Sequence, residues 1–401
     1  MIRLLLAGFV AFAAWTGAAH AHTRSQSMSH WRVDAGAVSG RVEADAVDVT
    51  RLYALGVDTS LQETFERHAA TAFSFSTDGG DCRRIGAPAP APASAGRIAV
   101  RLRFECPDNG AAQQVTIGST LFLDVAATHL HFASVTAPDG AGSEAVLTDT
   151  RRSAALDLKA QGPAAGAWET FIRYVPVGAV HVWGGLDHLA FILGLTLLAR
   201  GLGSVALAAT GFTLGHTATL ALAALGVLSP DSATVEALIG FTVAFVAVEA
   251  ARDGPARLTR WSVPIAAGLL VMAALSIMNV VAIAAVSLAG LAVFAWAYPR
   301  GFPRGAAAAP GLAAAFGLIH GCGFAGALGD LDLPRPRLLA GLAGFNVGVE
   351  AAQVVVIVAA LAVGWAWKRS AGVRFNAAPD VAAAGLLALG TYWFASRAFG
   401  A

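Results

Sequence analysis

Ionisable side chains inside long apolar stretches are the residues of this chain best suited to chemistry. Such groups are costly in hydrocarbon, so they normally face a bundle interior or an aqueous cavity and mark functional sites. Imidazole favours borderline divalent ions such as Ni, Co, Zn or Cu, and a carboxylate completes the charge. The candidate ligands are His181, Asp187, His188, His216, His320 and Glu350, with Glu249 and Cys322 as additional candidates. Together they predict a shared metal site.

The depth of these residues follows from counting along each apolar segment at about 1.5 Å per residue. The residues near the middle of their segments are Asp187, His188, His216, His320 and Glu350. His181 lies further out, and a helical rise of about 10 Å would separate it from His188. This spacing predicts two successive sites on a path rather than two ligands of one ion. Glu249 lies nearer a segment end, where it either pairs with Arg252 or serves as an exit group.

Other interpretations of the same residues stay open. Buried polar side chains often hydrogen-bond membrane helices together, and a row of histidines and acids can relay protons. An intramembrane hydrolase would use a metal-activated water, but no H-E-x-x-H motif occurs. A membrane-anchored assembly factor would use the bundle only as a structure. We favour a non-enzymatic permease, and the lack of a G-x4-G-K-[ST] motif argues against ATP as its energy source.

The elements that must position these residues are membrane helices. The chain has 401 residues, of which 56% are hydrophobic and only 13% charged, so a lipid bilayer must be one of its solvents. A net charge of +1 leaves no electrostatic footprint for nucleic acid. Eight apolar segments predict eight spans: 172–199, 203–228, 231–252, 261–278, 281–298, 309–329, 337–367 and 379–399. The break at Met278 and Asn279 leaves open whether the fourth and fifth segments are separate spans.

The basic residues between these segments predict the orientation of the chain. Connections on the cytoplasmic side collect Lys and Arg. Alternate connections hold Arg200, Arg252, Arg257, Arg260, Arg300, Arg304, Lys368, Arg369 and Arg374. We therefore expect a bacterial inner-membrane protein whose amino-terminal domain lies in the periplasm. Its oligomeric state is not predicted.

The amino-terminal part has the features of an exported domain. A charged start, a short apolar stretch and Ala19-His20-Ala21 predict a signal peptide over residues 1–21. Residues 22–168 have a soluble composition, and the alternation over Arg97–Phe104 is typical of a half-buried strand. We predict a small β-rich periplasmic domain, able to bind a protein partner, followed by the helical bundle over 169–401.

Cysteines and two further histidines add candidates in the exported part. An oxidising compartment permits a disulfide between Cys82 and Cys106. His129 and His131 lie on one face of a predicted strand, where they are either metal ligands or ordinary surface histidines. Cys322 lies in an apolar segment without an obvious partner.

The bundle resembles the HupE/UreJ family of membrane proteins, in a longer form with an exported domain. The ordered motifs that carry the resemblance are His181–His188, Phe212–Leu220, Val235–Ile239, Phe316–Ala325 and Gly344–Glu350. The resemblance implies an accessory role for hydrogenase or urease and uptake of nickel or cobalt. It also implies that the His-x5-Asp-His and His-Gly segments handle the metal. Cys322 departs from the bulkier residue expected between the two glycines, and its thiol would favour a softer ion such as Cu(I).

Overall fold

The computed structural model describes most of the chain in two compact units. The described residues are 25–34, 36–55, 59–93, 96–107, 114–126, 129–137, 142–158, 166–199, 201–225, 227–228, 231–251, 254–323, 335–371 and 378–399. One unit contains those of 25–172 and 335–341, and the other those of 173–323 and 342–399. The expected signal peptide and the basic residues Arg200, Arg252 and Arg374 lie outside the described residues.

The first unit is rich in β-structure, as the alternating sequence predicts. Its strands are β1 (Gln26–Asp34), β2 (Ala37–Asp45), β3 (Phe73–Thr77), β4 (Gly80–Asp81), β5 (Arg83–Arg84), β6 (Ala89–Ala91), β7 (Arg97–Glu105), β8 (Gln114–Ser119), β9 (Leu130–Thr136), β10 (Gly142–Leu147) and β11 (Ser153–Asp157). Within the described residues, one sheet has the order β10-β9-β1-β2-β7-β5, with β6 also paired to β7. The other has the order β11-β8-β3-β4.

The two sheets share one hydrophobic core. Alternate residues of β7 and β11 are buried, which is the period of two expected for strands with one covered face. The short helix α1 (Ala46–Thr50) and helix α2 (Leu61–Ala72) belong to this unit, and Phe65 of α2 is fully buried in the core. A disulfide joins Cys82 to Cys106 beside the same core.

A chain of hydrogen bonds between serines and histidines runs along the parallel pair β1 and β9. Serine Oγ atoms of the β1 side contact both ring nitrogens of His129 at 2.6 and 2.7 Å and both of His131 at 2.7 Å. The members, in order, are Trp31, Ser29, His131, Ser27, His129 and Ser25. We call this set the serine–histidine chain. Both histidines are 1% exposed, so they are not the surface histidines that the sequence left open.

The second unit is helical. Its helices are α3 (Ala167–Gly184, which begins in the first unit), α4 (Leu186–Leu198), α5 (Leu202–Ala224), α6 (Ser232–Ala250), α7 (Gly254–Ile277), α8 (Ala285–Gly301), α9 (Ala309–Cys322), α10 (Arg335–Ala371, which also begins in the first unit) and α11 (Ala378–Ala398). Each predicted apolar segment coincides with a helix or, for the first, with the pair α3 and α4. The fourth and fifth segments form the separate helices α7 and α8.

Eight spans were predicted, but fewer of the described helices are long and apolar enough to cross a bilayer. Among the described residues, four meet that requirement: Leu202–Ala224, Pro255–Ile277, Gly305–Cys322 and Pro336–Trp367. A fifth span results if α3 and α4 together form one broken span. The structure therefore supports a membrane protein with four or five candidate spans and does not confirm eight.

The break between α3 and α4 bends the chain by 77°. Gly184 and Gly185 lie at this point, and glycine is a poor helix former because it loses the most backbone freedom on ordering. Helical hydrogen bonds continue on both sides, from Gly185 N–H to the His181 carbonyl and from Leu189 N–H to the Gly185 carbonyl, each at 3.1 Å. The chain thus changes direction at Gly184 and Gly185 while the helical hydrogen bonds on both sides remain.

Glycines let the backbones of neighbouring helices touch. A Cβ atom added to Gly317 of α9 would lie 2.2 Å from the Phe212 carbonyl oxygen of α5. One added to Gly321 would lie 2.2 Å from the His216 carbonyl oxygen. Because no side chain can be inserted at such distances, α5 and α9 pack closely only with glycine at these positions. This contact brings the helices that carry His216 and His320 together.

Candidate metal centre

The bend in the first apolar segment brings His181 and His188 together. Their ring centroids are 4.6 Å apart. The prediction of two successive sites separated by about 10 Å was therefore wrong, because it assumed one continuous helix. The bend folds the start of α4 back toward the end of α3, so the rise along the chain no longer measures their separation.

His216 of α5 completes one group of potential ligands with these two histidines. One ligand atom from each of His181, His188 and His216 lies within 4.8 Å of the others, and all three side chains are buried. The ring centroid of His216 is 6.0 Å from that of His181 and 6.1 Å from that of His188.

A second group shares His188 and adds Asp187 and His320. Ligand atoms of these three residues also lie within 4.8 Å of one another. The ring centroids of His188 and His320 are 5.3 Å apart. Four histidines and one carboxylate from α3, α4, α5 and α9 therefore form one continuous set, which we call the histidine cluster.

Asp187 fixes which nitrogen of His188 carries the proton. Its Oδ1 accepts the backbone N–H of His188 at 2.8 Å and lies 3.1 Å from the ring Nδ1. Since this carboxylate oxygen acts as an acceptor, Nδ1 carries the hydrogen that it receives. The Nε2 lone pair of His188 is then open, and this buried atom has no hydrogen-bond partner among the described residues. A carboxylate behind an imidazole is a common arrangement for metal-binding histidines.

Thr242 of α6 does the same for His320. Its hydroxyl donates to the Ile239 carbonyl at 2.7 Å, and its Oγ1 lies 2.9 Å from the ring Nε2 of His320. Because the single hydroxyl hydrogen is already used, Thr242 can only accept from His320, so Nε2 carries the ring hydrogen. Nδ1 keeps its lone pair and, within the described part of the chain, has no hydrogen-bond partner.

Aromatic rings pack against the histidines of the cluster, whereas the Asp187 side chain is 29% exposed. The ring centroids of Phe191 and Phe212 lie 4.9 and 5.1 Å from that of His320. Phe345 of α10 lies 5.2 Å from His181 by the same measure. Buried imidazoles with bare lone pairs in such surroundings can take a cation in place of the water that would otherwise bind them.

Glu350, whose depth along the sequence predicted a place in the common site, contacts two threonines of α5. It belongs to neither ligand group among the described residues. Its carboxylate accepts hydrogen bonds from the hydroxyls of Thr210, at 3.2 Å, and Thr213 on α5. Depth places a residue along the membrane normal but leaves its lateral position open.

Glu249 and Cys322, the two additional candidates, also lie outside both ligand groups. Glu249 is 2% exposed, and its Oε1 accepts from the Tyr298 hydroxyl at 3.1 Å and from the Gly305 backbone N–H. The Cys322 Sγ contacts the Leu318 carbonyl of its own helix at 3.5 Å. The described Glu249 contacts tie α6 to α8 and to the turn before α9.

Sequence reasoning missed the neutral residues that assist the cluster. Thr242 and Asn346 are buried and polar, but neither is ionisable, so neither stood out as costly in hydrocarbon. Asn346 donates to the Leu342 carbonyl at 2.7 Å, and its buried Oδ1 has no hydrogen-bond partner among the described residues. The only available signal was the presence of polar residues in otherwise apolar helices.

Comparison with known proteins gives a family for this chain. Residues 158–273 and 259–397 match the family model described as HupE / UreJ protein. No curated protein matches the chain. The family is associated with nickel or cobalt transport and with urease or hydrogenase maturation, and it is not known for enzymes. Since the match covers more than half of the chain and includes every residue of the histidine cluster, the chain belongs to the HupE/UreJ family.

Proposed function

We propose that this protein is a membrane permease for a divalent transition metal of the nickel or cobalt type. The observation that carries the proposal is the pair of open ring nitrogens, His188 Nε2 and His320 Nδ1, in one buried cluster. Asp187 and Thr242 hold these rings in the tautomers that a metal needs. Imidazole suits Ni and Co, and Zn or Cu remain chemically acceptable cargo.

The surroundings of the cluster favour passage of the ion over catalysis. Phenylalanine rings pack against the histidines and offer no polar group to a substrate, while the partly exposed Asp187 side chain leaves an ion access to the cluster. The transporter and accessory character of the family points the same way. With no ATP-binding motif in the sequence, the membrane potential or a coupled ion would drive the movement.

The proposal includes an orientation for the chain. A signal peptide over residues 1–21 would be removed, the β-rich domain would lie in the periplasm and face a protein partner, and the bundle would lie in the bacterial inner membrane. Eight spans would then place the carboxyl terminus outside, in agreement with the distribution of Lys and Arg. The shorter helices would complete the bundle by packing against the four or five longer ones.

Metal content and uptake test the permease directly. We expect the purified full-length protein in mild detergent to bind Ni or Co in near-stoichiometric amounts, measured by elemental analysis. His188→Ala with His320→Ala should lose this metal, because each substitution removes an open lone pair from the cluster. Cells that produce the variant should also lose metal uptake. His68→Gln in the β-rich unit, which removes a histidine outside the cluster, is the matched control.

The decisive comparison requires equal amounts of folded protein in the membrane. Size-exclusion profiles of the detergent-solubilised proteins establish this. Wild-type uptake no greater than that of cells without the protein would disprove the permease. Retained uptake with lost binding would mean that the cluster is not on the transport path.

Orientation has a separate test. Sequencing the amino terminus of the membrane-inserted protein should give His22 as the first residue. A reporter enzyme that is active only in the periplasm, fused after residue 401, should be active if the number of spans is even. An inactive periplasmic reporter together with an active cytoplasmic one would require an odd number of spans.

A further inference from the structure

A second group of polar residues lies between α5 and α10, next to the histidine cluster. Thr210 and Thr213 on α5 both contact the Glu350 carboxylate of α10. Thr213 Oγ1 also lies 3.2 Å from Oε1 of Gln353, one turn further along α10. These contacts form a row of oxygen atoms between two helices that are otherwise apolar.

The row has more hydrogen-bond acceptors than hydrogens. The single hydroxyl hydrogen of Thr213 faces the Ala209 carbonyl, Glu350 Oε2 and Gln353 Oε1. In the described part of the chain, Glu350 has only threonine hydroxyls as donors. Glu350 is half-buried, and within that part of the chain no Lys, Arg or His pairs with its carboxylate. A carboxylate in an apolar helix bundle that meets only neutral oxygens is suited to a cation.

Gln353 gives a second, independent indication of a ligand. Its side chain is 1% exposed, and its buried Nε2 has no hydrogen-bond partner among the described residues. The two ends of an amide are interchangeable by a 180° turn. After that turn Nε2 donates to Thr213 and Oε1 becomes an additional open oxygen. A buried amide with one open end is expensive unless something binds it.

Asn346 connects this row to the histidine cluster. It lies one turn before Glu350 on α10, is 8% exposed, and follows Phe345, whose ring stacks with that of His216 at 6.1 Å between centroids. Its Nδ2 donates to the Leu342 carbonyl at 2.7 Å, while its buried Oδ1 has no hydrogen-bond partner in the described residues. On α5, Thr213 lies one turn before His216, a rise of about 4.5 Å. We call Thr210, Thr213, Asn346, Glu350 and Gln353 the oxygen track.

We propose that the oxygen track is a second cation site, through which the divalent metal leaves the histidine cluster toward the cytoplasm. This inference rests on the proposed function. Nickel and cobalt bind imidazole more firmly than neutral oxygens, so the track offers the ion a weaker site one step further on. In the proposed orientation, the amino end of α5 faces the cytoplasm, and the track runs from His216 toward that end.

The track replaces Glu249 as the exit. The Oε1 of Glu249 joins helices through Tyr298 and Gly305, and its buried Oε2 has no hydrogen-bond partner among the described residues, but no contact links this carboxylate to the histidine cluster in that part of the chain. The residues of the oxygen track instead continue from the histidine cluster turn by turn. This places the exit between α5 and α10.

Separating binding from transport tests the track. Thr213→Val with Glu350→Gln removes a hydroxyl and the charge while keeping the side-chain sizes nearly constant. We expect the purified full-length variant to retain the Ni or Co content of the wild-type protein, while initial uptake in cells falls by about 10-fold or more. Thr196→Val is the matched control, because the Thr196 hydroxyl bonds only to the Ile192 carbonyl of its own helix among the described residues, at 2.8 Å. A Thr213→Ser variant, which keeps the hydroxyl, should retain most of the uptake that a Thr213→Val variant loses.

Each other outcome has a defined meaning. If the wild-type protein binds and transports metal and the double variant transports at the same rate, the track is wrong and the permease stands. If the double variant loses bound metal as well, Glu350 belongs to the primary site and the separate site is disproved. If the wild-type protein neither binds nor transports metal, the permease itself fails and the track fails with it.

Discussion

Two pairs of buried histidines in this molecule have opposite hydrogen-bonding patterns. In the β-rich unit, His129 and His131 have serine hydroxyls at both ring nitrogens. In the helical unit, His188 and His320 each have one nitrogen held by a polar neighbour and the other open. Burial is similar in both pairs. The partner of the second ring nitrogen, and not burial, decides whether a histidine is structural or available to a ligand.

The hydrogens of the serine–histidine chain run in one direction. The Ser25 hydroxyl is drawn to the Asp48 carboxylate, so His129 must donate to Ser25 through Nδ1. A neutral ring has one N–H and one lone pair, so Ser27 donates to His129 Nε2 and Ser29 donates to His131 Nε2. At the far end Trp31, which can only donate, contacts Ser29 at 2.7 Å. Every nitrogen lone pair is thereby used, which leaves none for a metal.

The largest expected effect comes from replacing one histidine of each pair with alanine. His131→Ala should destabilise the β-rich unit by about 2–4 kcal/mol, because it leaves a cavity and two buried serines without their partner. The metal content should stay unchanged. His188→Ala should do the reverse and remove the metal with little loss of stability. Urea titrations of the full-length protein, with proteolysis as the readout of unfolding, measure the stability of the β-rich unit. Elemental analysis measures the metal content. Metal loss in His131→Ala would contradict the distinction between the pairs.

A smaller effect should follow from changing only the partner of an open histidine. Thr242→Val keeps the shape of the side chain but no longer accepts from His320 Nε2, so the ring is free to change tautomer. We expect metal affinity to fall by about 10–100-fold, the range seen when a residue behind a metal ligand is lost. Thr242→Ser should retain the affinity because it keeps the hydroxyl. Competition titration with a chelator measures the change, and an unaltered affinity in the valine variant would contradict the tautomer argument.

The smallest effect is the pH dependence of the β-rich unit. Burial, with a smaller contribution from His30, lowers the pKa of His131 from 6.5 to about 3. The unfolded chain therefore binds a proton below pH 6.5 that the folded chain does not, and stability falls as the pH drops from 6.5 toward 3 by at most about 1.4 kcal/mol per pH unit. Burial raises the pKa of Asp48 from 3.8 to about 6, against the opposing effect of Arg51. The contribution of Asp48 to the free energy of unfolding therefore rises as the pH drops from 6 to 4, and it offsets the loss of stability caused by His131 over that range.

Replacing Asp48 separates the two contributions. Asp48→Asn cannot titrate, so its stability should decline steadily from pH 6.5 downward, whereas the wild-type curve should be flatter between pH 6 and 4. Urea midpoints of the full-length proteins at several pH values give both curves. Parallel curves would mean that Asp48 does not offset the histidine.

The secondary structure was largely predictable because it follows from local sequence patterns. Alternation over Arg97–Phe104 gave a strand, and the structure has β7 at Arg97–Glu105. The apolar segments gave helices with nearly the same bounds. Hydropathy counts apolar residues and says nothing of bends, so the sequence did not predict the 77° break within the first segment. Eight apolar segments likewise did not translate into eight long helices.

The sequence alone determined which residues are available for chemistry. Histidines and carboxylates in apolar segments stand out because each is costly in hydrocarbon, and His181, Asp187, His188, His216 and His320 do form one cluster. Tertiary structure alone decided their arrangement. The bend at Gly185 joined His181 to His188, and Thr242, 78 residues from His320, set its open nitrogen. Tertiary packing also set Glu350 against Thr210 and Thr213, since position along a helix does not fix which neighbour a side chain meets.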